Sequence, residues 1–62
     1  MTKWKITDGS DGSVEVFDAA SLAEALDYVR GYLLDGNYEA DDTVSGVLEG
    51  DDFNETLTFE AN

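Results

Sequence analysis

The sequence predicts an α+β domain of the order ββαββ, in which one helix packs on one face of a four-stranded antiparallel sheet. Three observations predict this class. Two alternating segments flank a glycine-rich turn near the N-terminus, a capped helical segment follows, and two further alternating segments end the chain. With 62 residues the chain is near the lower size limit for an independent core, so we expect residues 1–62 to form a single domain.

The first two strands form a predicted hairpin. Residues 3–7 (KWKIT) alternate and place Trp4 and Ile6 on the buried face of the sheet. Residues 13–17 (SVEVF) alternate as well, and this pattern predicts that their two valines face the core and Glu15 faces solvent. The segment DGSDG between the strands is rich in residues that form tight turns, which indicates a hairpin.

The helix is predicted to begin at a capping box that runs from Ser21 to Glu24 (SLAE). Its apolar positions then recur at helical spacing, at Leu22, Leu26, Val29 and Leu33, with Ala25 and Tyr32 beside them. Gly36 stands where a left-handed C-terminal cap is expected. Gly31 weakens the helix by about 1 kcal/mol relative to alanine, and we interpret it as a point of close approach to the sheet.

The third and fourth strands are predicted at residues 43–49 (TVSGVLE) and 55–60 (ETLTFE). The polar loop 37–42 precedes them and a second hairpin turn joins them. In the last strand Leu57 and Phe59 face the core, because they alternate with threonine and glutamate.

A single helix covers only one face of the sheet, and we call the other face the open face. Its predicted residues are Lys3, Lys5, Glu15, Phe17, Val47, Thr56, Thr58 and Glu60. Phe17 and Val47 would form an apolar seam on this face, so the pattern predicts a surface through which two copies could form a homodimer.

Charge and residue types exclude several classes of function. The chain has 15 Asp and Glu against 3 Lys and Arg, a net charge of −12, which excludes ordinary nucleic-acid binding and attraction to anionic membranes. It contains no histidine and no cysteine, so the common bases, thiol nucleophiles and thiolate metal ligands are missing. We therefore expect a protein that is not an enzyme and needs no cofactor. No apolar run is long enough to span a membrane and no signal-peptide core is present, so we expect a cytoplasmic location.

The segment DGSDGS resembles the first half of a calcium-binding EF-hand loop. Ser10, Gly12 and Ala19 occupy the third, fifth and twelfth positions, where that loop needs acidic or amide ligands and a final glutamate. The segment also joins predicted strands, whereas an EF-hand loop joins helices. We therefore predict a plain hairpin turn and no metal site.

The C-terminal half holds the densest negative charge. From Asp35 to Glu55 there are eight carboxylates and no Lys or Arg. A hairpin turn needs only small polar residues, so the excess of carboxylates indicates a contact surface for a cationic partner. The predicted members of this surface are Tyr38, Glu39, Asp41, Asp42, Glu49, Asp51, Asp52, Phe53 and Glu55, with the two aromatic rings as apolar anchors.

In size, acidity and lack of catalytic residue types, the chain resembles the small phage-encoded inhibitors of host defence, the anti-CRISPR and anti-restriction proteins. The resemblance covers the general character of the whole chain and transfers no residue by position. It implies a non-enzymatic inhibitor in the host cytoplasm that mimics the charge of DNA and blocks a CRISPR or restriction complex. Carboxylates on alternate strand residues lie about 6.8 Å apart, a spacing comparable to that of neighbouring phosphates in a DNA strand.

Two other interpretations of the charge stay open. Asp outnumbers Glu by nine to six and lysine is scarce, a composition typical of proteins from salt-accumulating archaea. The chain could instead be a regulatory module that docks on a basic protein through its open face or an edge strand. The uneven charge favours DNA mimicry, because salt adaptation alone would spread carboxylates evenly.

Overall fold

The computed structural model describes residues 1–36 and 38–61. Asn37, which the sequence places in the loop before the third strand, lies outside the described residues, as does Asn62. The elements are β1 (Thr2–Asp8), β2 (Val14–Ala19), α1 (Leu22–Leu33), β3 (Thr43–Glu49) and β4 (Asn54–Glu60). Neighbouring strands are antiparallel in the order β2-β1-β3-β4, and α1 packs on one face. The predicted α+β class is confirmed.

The strand order determines which segments meet at each end of the sheet. β2 and β3 both pair antiparallel with β1, so they run parallel to each other, and α1 connects them across β1. As a result β1, α1 and β4 end where β2 and β3 begin. The β3–β4 turn, the start of β1 and the start of α1 lie at the opposite end.

The core lies between α1 and the inner face of the sheet. Its buried side chains are Trp4, Ile6, Phe17, Ala19, Ala25, Val29, Leu33, Val44 and Leu48. The predicted inward positions of β1 and of the C-terminal half of the helix are confirmed. At the start of α1 the predicted positions differ from the observed ones. Leu22, predicted to face the core, is 39% exposed, and Ala25 is fully buried in its place.

The structure reverses the predicted orientation of β2. Phe17 lies opposite Trp4, and Glu15 lies opposite Ile6. Residues directly opposite each other in an antiparallel pair share a face, so these β2 side chains lie on the helix side. Phe17 is only 8% exposed, whereas both valines of the strand are 53% exposed on the open face. The prediction that Glu15 and Phe17 lie on the open face is therefore wrong.

The physical reason is the larger apolar area of the aromatic ring. Burying Phe17 together with Ala19 removes more apolar surface from water than burying two valines, and β2 is an edge strand where exposed valines are tolerated. The apolar side chains of the open face are therefore Val14, Val16 and Val47. The other predicted open-face residues, Lys3, Lys5, Thr56, Thr58 and Glu60, occupy that face in the observed register.

The predicted N-cap of α1 is confirmed, whereas the C-cap is Leu34 and the left-handed Gly36 follows it by two residues. Ser21 is the N-cap, with an extended backbone (φ −153°), and its hydroxyl accepts a hydrogen bond from the backbone N–H of Glu24 at 3.3 Å. Gly36 has a φ of 97°, the left-handed conformation that glycine adopts without strain. These two residues fix where the chain enters and leaves the helical layer.

The predicted close approach at Gly31 is wrong. A Cβ atom at this position would meet no atom within 4 Å, because the residue lies on the exposed side of α1. The close approach occurs instead at Gly46 in β3, where a Cβ atom would lie 2.7 Å from the carbonyl oxygen of Thr7.

Candidate protein-binding surface

The end of the sheet where β1, α1 and β4 end collects carboxylates from four parts of the chain: the end of β1, the β1–β2 turn, the loop between α1 and β3, and the end of β4. We call it the acidic end, and its members are Asp8, Asp11, Asp35, Glu39, Asp41, Asp42 and Glu60. The segments that form it, residues 8–13, 34–36, 38–42 and 60–61, contain no Lys or Arg. Four of the nine residues predicted for the contact surface, those from Tyr38 to Asp42, lie here.

Backbone and side-chain hydrogen bonds fix the loop before β3. The backbone N–H of Glu39 donates to Oδ2 of Asp42 at 2.9 Å, and the N–H of Asp42 donates to the carbonyl of Glu39 at 3.1 Å. The N–H of Ala61 donates to the carbonyl of Asp42 at 3.1 Å, which ties the loop to the end of β4. Tyr38 is half-buried against the core. The loop therefore presents its carboxylates from a fixed backbone.

The β1–β2 turn is fixed by its own carboxylates. Oδ1 of Asp8 accepts bonds from the backbone N–H and the hydroxyl of Ser10 at 2.8 and 2.7 Å. Oδ1 of Asp11 accepts from the backbone N–H of Ser13 at 2.8 Å. This backbone bond, and next the hydroxyl of Ser13, lower the pKa of Asp11 below its ordinary value, so the carboxylate stays ionised.

Two tyrosines of α1 lie beside the acidic end. The hydroxyl of Tyr28 donates to the carboxylate of Glu15 at 2.6 Å, and its ring stacks on Phe17 with centroids 4.0 Å apart. The hydrogen bond, then burial and the charge of Glu15, raise the pKa of Tyr28 above 10.0. Burial raises the pKa of Tyr32, and four carboxylates raise it further. These are Glu15, Asp8, Asp11 and Asp35. Their joint action on one phenol indicates that they share one region of negative potential.

We expect Glu15→Gln to lower the pKa of Tyr28 markedly and that of Tyr32 less. The substitution weakens the main cause at Tyr28, whereas at Tyr32 it removes only one charge among several causes. The pKa values of both tyrosines are higher in the folded state than the unfolded value near 10.0, so the protonated phenols stabilise the folded state. This contribution to stability is fully present below pH 10.0. It is lost as the pH rises through the folded-state value.

Ultraviolet titration of the phenols, with ring NMR signals for assignment, measures the two values. Glu24→Gln is the matched control. It also removes one negative charge, but Glu24 is not among the causes of the pKa shift of either tyrosine. An unchanged pKa of Tyr28 in Glu15→Gln would contradict the assignment.

The other five predicted surface residues lie at the opposite end of the sheet, in and beside the β3–β4 turn. Asp51 and Asp52 are exposed in the turn, and the ring of Phe53 packs on Trp4 with centroids 6.2 Å apart. Six residues of β3 separate Glu49, the first member of this group, from Asp42, a distance of about 20 Å at the usual strand rise. The carboxylates from Asp35 to Glu55, which follow one another in the sequence, therefore form two separate groups in the structure.

The open face carries little net charge near its centre. Nζ of Lys3 lies 3.8 Å from Oδ1 of Asp18, and Nζ of Lys5 lies 3.4 Å from Oε2 of Glu49. Glu49, predicted as a partner-binding residue, is thus paired with a lysine on this face. More carboxylates lie at the acidic end, whose described segments contain no Lys or Arg.

Sequence reasoning missed Asp8, Asp11, Asp35 and Glu60 as members of the main surface. Asp35 belongs to the loop between α1 and β3 itself, whereas the other three are far along the chain from that loop and only the strand order brings them to it. Among the described residues no three His, Cys, Asp or Glu side chains are grouped so that they could hold a metal ion. In the same part of the chain, no helix is long and apolar enough to cross a membrane.

The sequence matches no protein-family model, and comparisons with curated proteins and with solved structures find no match.

Proposed function

We propose that this protein is a non-enzymatic inhibitor that mimics the charge of DNA and occupies the cationic surface of a nucleic-acid-binding protein, such as a CRISPR or restriction complex. The observation that carries the proposal is the acidic end, where seven carboxylates from four parts of the chain lie in segments without Lys or Arg. The five predicted surface residues in and beside the β3–β4 turn, which we call the hairpin end, form a second anionic contact in the same proposal.

The spacing of the charges supports mimicry of a phosphate backbone. Asp42 precedes β3 and Glu60 ends the neighbouring strand β4, and neighbouring strands lie about 4.8 Å apart, a spacing of the same order as that between neighbouring phosphates. Lys and Arg side chains that hold phosphates would meet carboxylate oxygens instead, which accept charge-assisted hydrogen bonds equally well.

Rigidity supports the proposal as well. The loop before β3 and the β1–β2 turn are held by hydrogen bonds of 2.7–3.1 Å. A preorganised anionic surface loses little conformational entropy on binding and attracts a cationic groove over long range. We expect fast association that weakens steeply as salt is added.

Two matched triple variants test the role of each end. Glu39→Gln, Asp41→Asn and Glu60→Gln together neutralise three carboxylates of the acidic end, and Asp51→Asn, Asp52→Asn and Glu55→Gln neutralise three at the hairpin end. Both variants lose the same charge, so they differ only in position. At about 0.5 kcal/mol for each exposed contact, we expect the first variant to bind about tenfold more weakly and the second to lose less.

The measurement is displacement of fluorescent DNA from purified CRISPR effector and restriction complexes. Equal losses in both variants would show that only total charge matters, and a larger loss in the hairpin variant would move the contact to that end. If no complex releases its DNA at any concentration of the wild-type protein, the inhibitor proposal fails.

Melting of the wild-type domain in dilute buffer and in about 1 M KCl separates inhibition from salt adaptation. At that salt concentration the Debye length is about 3 Å and self-repulsion of the surface charges is largely screened. A cooperative transition in dilute buffer fits an inhibitor that works at ordinary ionic strength. A chain that folds only at molar salt would instead assign the charge to solvation in brine.

A further inference from the structure

A groove of about 460 Å³ separates α1 from the edge strand β4. The helix packs against β1, β2 and β3, and this leaves the inner side of β4 only partly covered. The groove is lined by Ala23, Leu26, Asp27, Arg30, Leu57, Thr58 and Phe59. Its volume falls within the range of pockets that bind small molecules or a few side chains.

The backbone of β4 offers hydrogen-bonding groups beside this groove. The N–H of Gly50 donates to the carbonyl of Phe53 at 2.8 Å, and that of Ala61 donates to Asp42 at 3.1 Å, one at each end of the β3–β4 pair. Hydrogen-bonded pairs alternate with non-bonded pairs along an antiparallel ladder, so every second residue from 53 to 61 bonds β3. The backbone groups that point outward belong to Asn54, Thr56, Thr58 and Glu60, and no described strand pairs with them.

Edge strands that must avoid partners are usually short, bulged, interrupted by proline or covered. β4 has seven residues, pairs with β3 without a bulge and contains no proline. The other edge differs, because α1 covers the inner side of β2 where Tyr28 stacks on Phe17 and bonds Glu15. β4 is therefore the edge with room for another strand.

We propose that β4 and the groove bind an extended segment of a partner protein in which apolar side chains alternate with Lys or Arg. The segment adds a fifth strand to the sheet through the outward groups of Thr56 and Thr58, a recognised mode of peptide binding. Its apolar side chains enter the groove beside Leu57 and Phe59. Its basic side chains lie on the opposite side, next to Glu60.

The charges of the groove assign these two sides. Arg30 lies over the ring of Phe59, 5.4 Å from its centroid, and Asp27 lines the same groove, so the groove carries one charge of each sign and favours apolar side chains over basic ones. The open-face side of β4 carries Glu60 and two threonines and no cation. The net charge of −12 attracts a basic segment from a distance.

A second copy of this chain fits the edge less well. Two paired β4 strands would bring Glu55 and Glu60 of both copies to the same seam, between molecules that each carry a charge of −12. The edge shares only Glu60 with the acidic end, and the inference does not depend on inhibition of a nucleic-acid-binding protein.

A peptide of four valine–lysine repeats, titrated into the labelled protein and followed by NMR at moderate salt, tests the proposal. We expect saturable changes at β4 and along the groove, at Leu26, Leu57 and Phe59. Peptides of four valine–glutamate repeats, or of valine–lysine repeats N-methylated at every residue, should bind at least tenfold more weakly. The methylated peptide keeps the charge and loses the backbone donors.

Thr58→Pro removes one outward N–H and leaves every bond to β3 in place, so it should weaken the peptide at least tenfold. Thr58→Val, which retains that N–H, is the matched control and should stay within threefold of wild type. Changes confined to the acidic end, or equal binding of the methylated peptide, would overturn the proposal even if Thr58→Pro did not fold. A wild-type dimer that Thr58→Pro dissociates in sedimentation would replace the partner segment with a second copy.

Discussion

Trp4→Ala is expected to remove at least about a third of the free energy of unfolding of the protein. Removing a buried tryptophan side chain costs about 3–5 kcal/mol. A domain of 62 residues has a total free energy of unfolding of about 3–9 kcal/mol at the usual stability per residue. A single truncation at this site therefore removes a large share of the available stability.

The position of Trp4 explains the size of the effect. The side chain is 6% exposed and lies opposite Phe17, and its Nε1–H donates to the carbonyl of Ala19 at 3.3 Å. Phe53 packs on the ring, and a Cβ atom at Gly50 would lie 2.5 Å from it, so the backbone of the β3–β4 turn approaches the indole closely. Truncation thus opens a cavity that borders β2 and the second hairpin together.

Circular dichroism with urea titration measures this loss. Val16→Ala is the control, because Val16 is 53% exposed on the open face and its truncation should change the free energy of unfolding by less than about 1 kcal/mol. Trp4→Phe keeps most of the ring contact and should fall between the two. A Trp4→Ala protein as stable as the Val16→Ala protein would contradict the described core.

Local patterns were sufficient for the element types but not for the orientation of β2. The segment SVEVF alternates whichever set of side chains faces inward, and the two valines appeared to be the natural inward pair. The register of the β1–β2 hairpin determines which side chains of β2 face the core, since it places Phe17 opposite Trp4. That register depends on the geometry of the turn and on total buried area, which a five-residue window does not contain.

The candidate surface was harder to predict because it depends on strand order. The carboxylates from Asp35 to Glu55 form one continuous acidic stretch in the sequence, but β3 separates them into two groups about 20 Å apart. Conversely, Asp8 and Glu60 are distant in sequence and lie at the same end of the sheet because β1 and β4 both end there. Composition predicted the amount of charge, and topology determined where it is concentrated.

The two glycines at positions 46 and 31 are expected to respond to alanine with opposite signs. At Gly46 a Cβ atom would lie 2.7 Å from the carbonyl oxygen of Thr7 and 3.1 Å from Cδ1 of Ile6. Neither neighbour can move freely, since one is backbone of the adjacent strand and the other is a fully buried side chain. Overpacking of this kind costs about 1–3 kcal/mol.

At Gly31 the added methyl group meets no atom within 4 Å, and alanine favours the helix by about 0.5–1 kcal/mol. Each 1 kcal/mol shifts the melting temperature of a domain of this size by about 4–8 °C, so Gly46→Ala should melt well below wild type and Gly31→Ala slightly above it. The two variants add the same atoms to one molecule, and only the packing around each site differs. If Gly46→Ala melted at or above wild type, β1 and β3 would not pair as closely as described. If Gly31→Ala were less stable than wild type, the face of α1 that carries Gly31 would not be exposed to solvent as described.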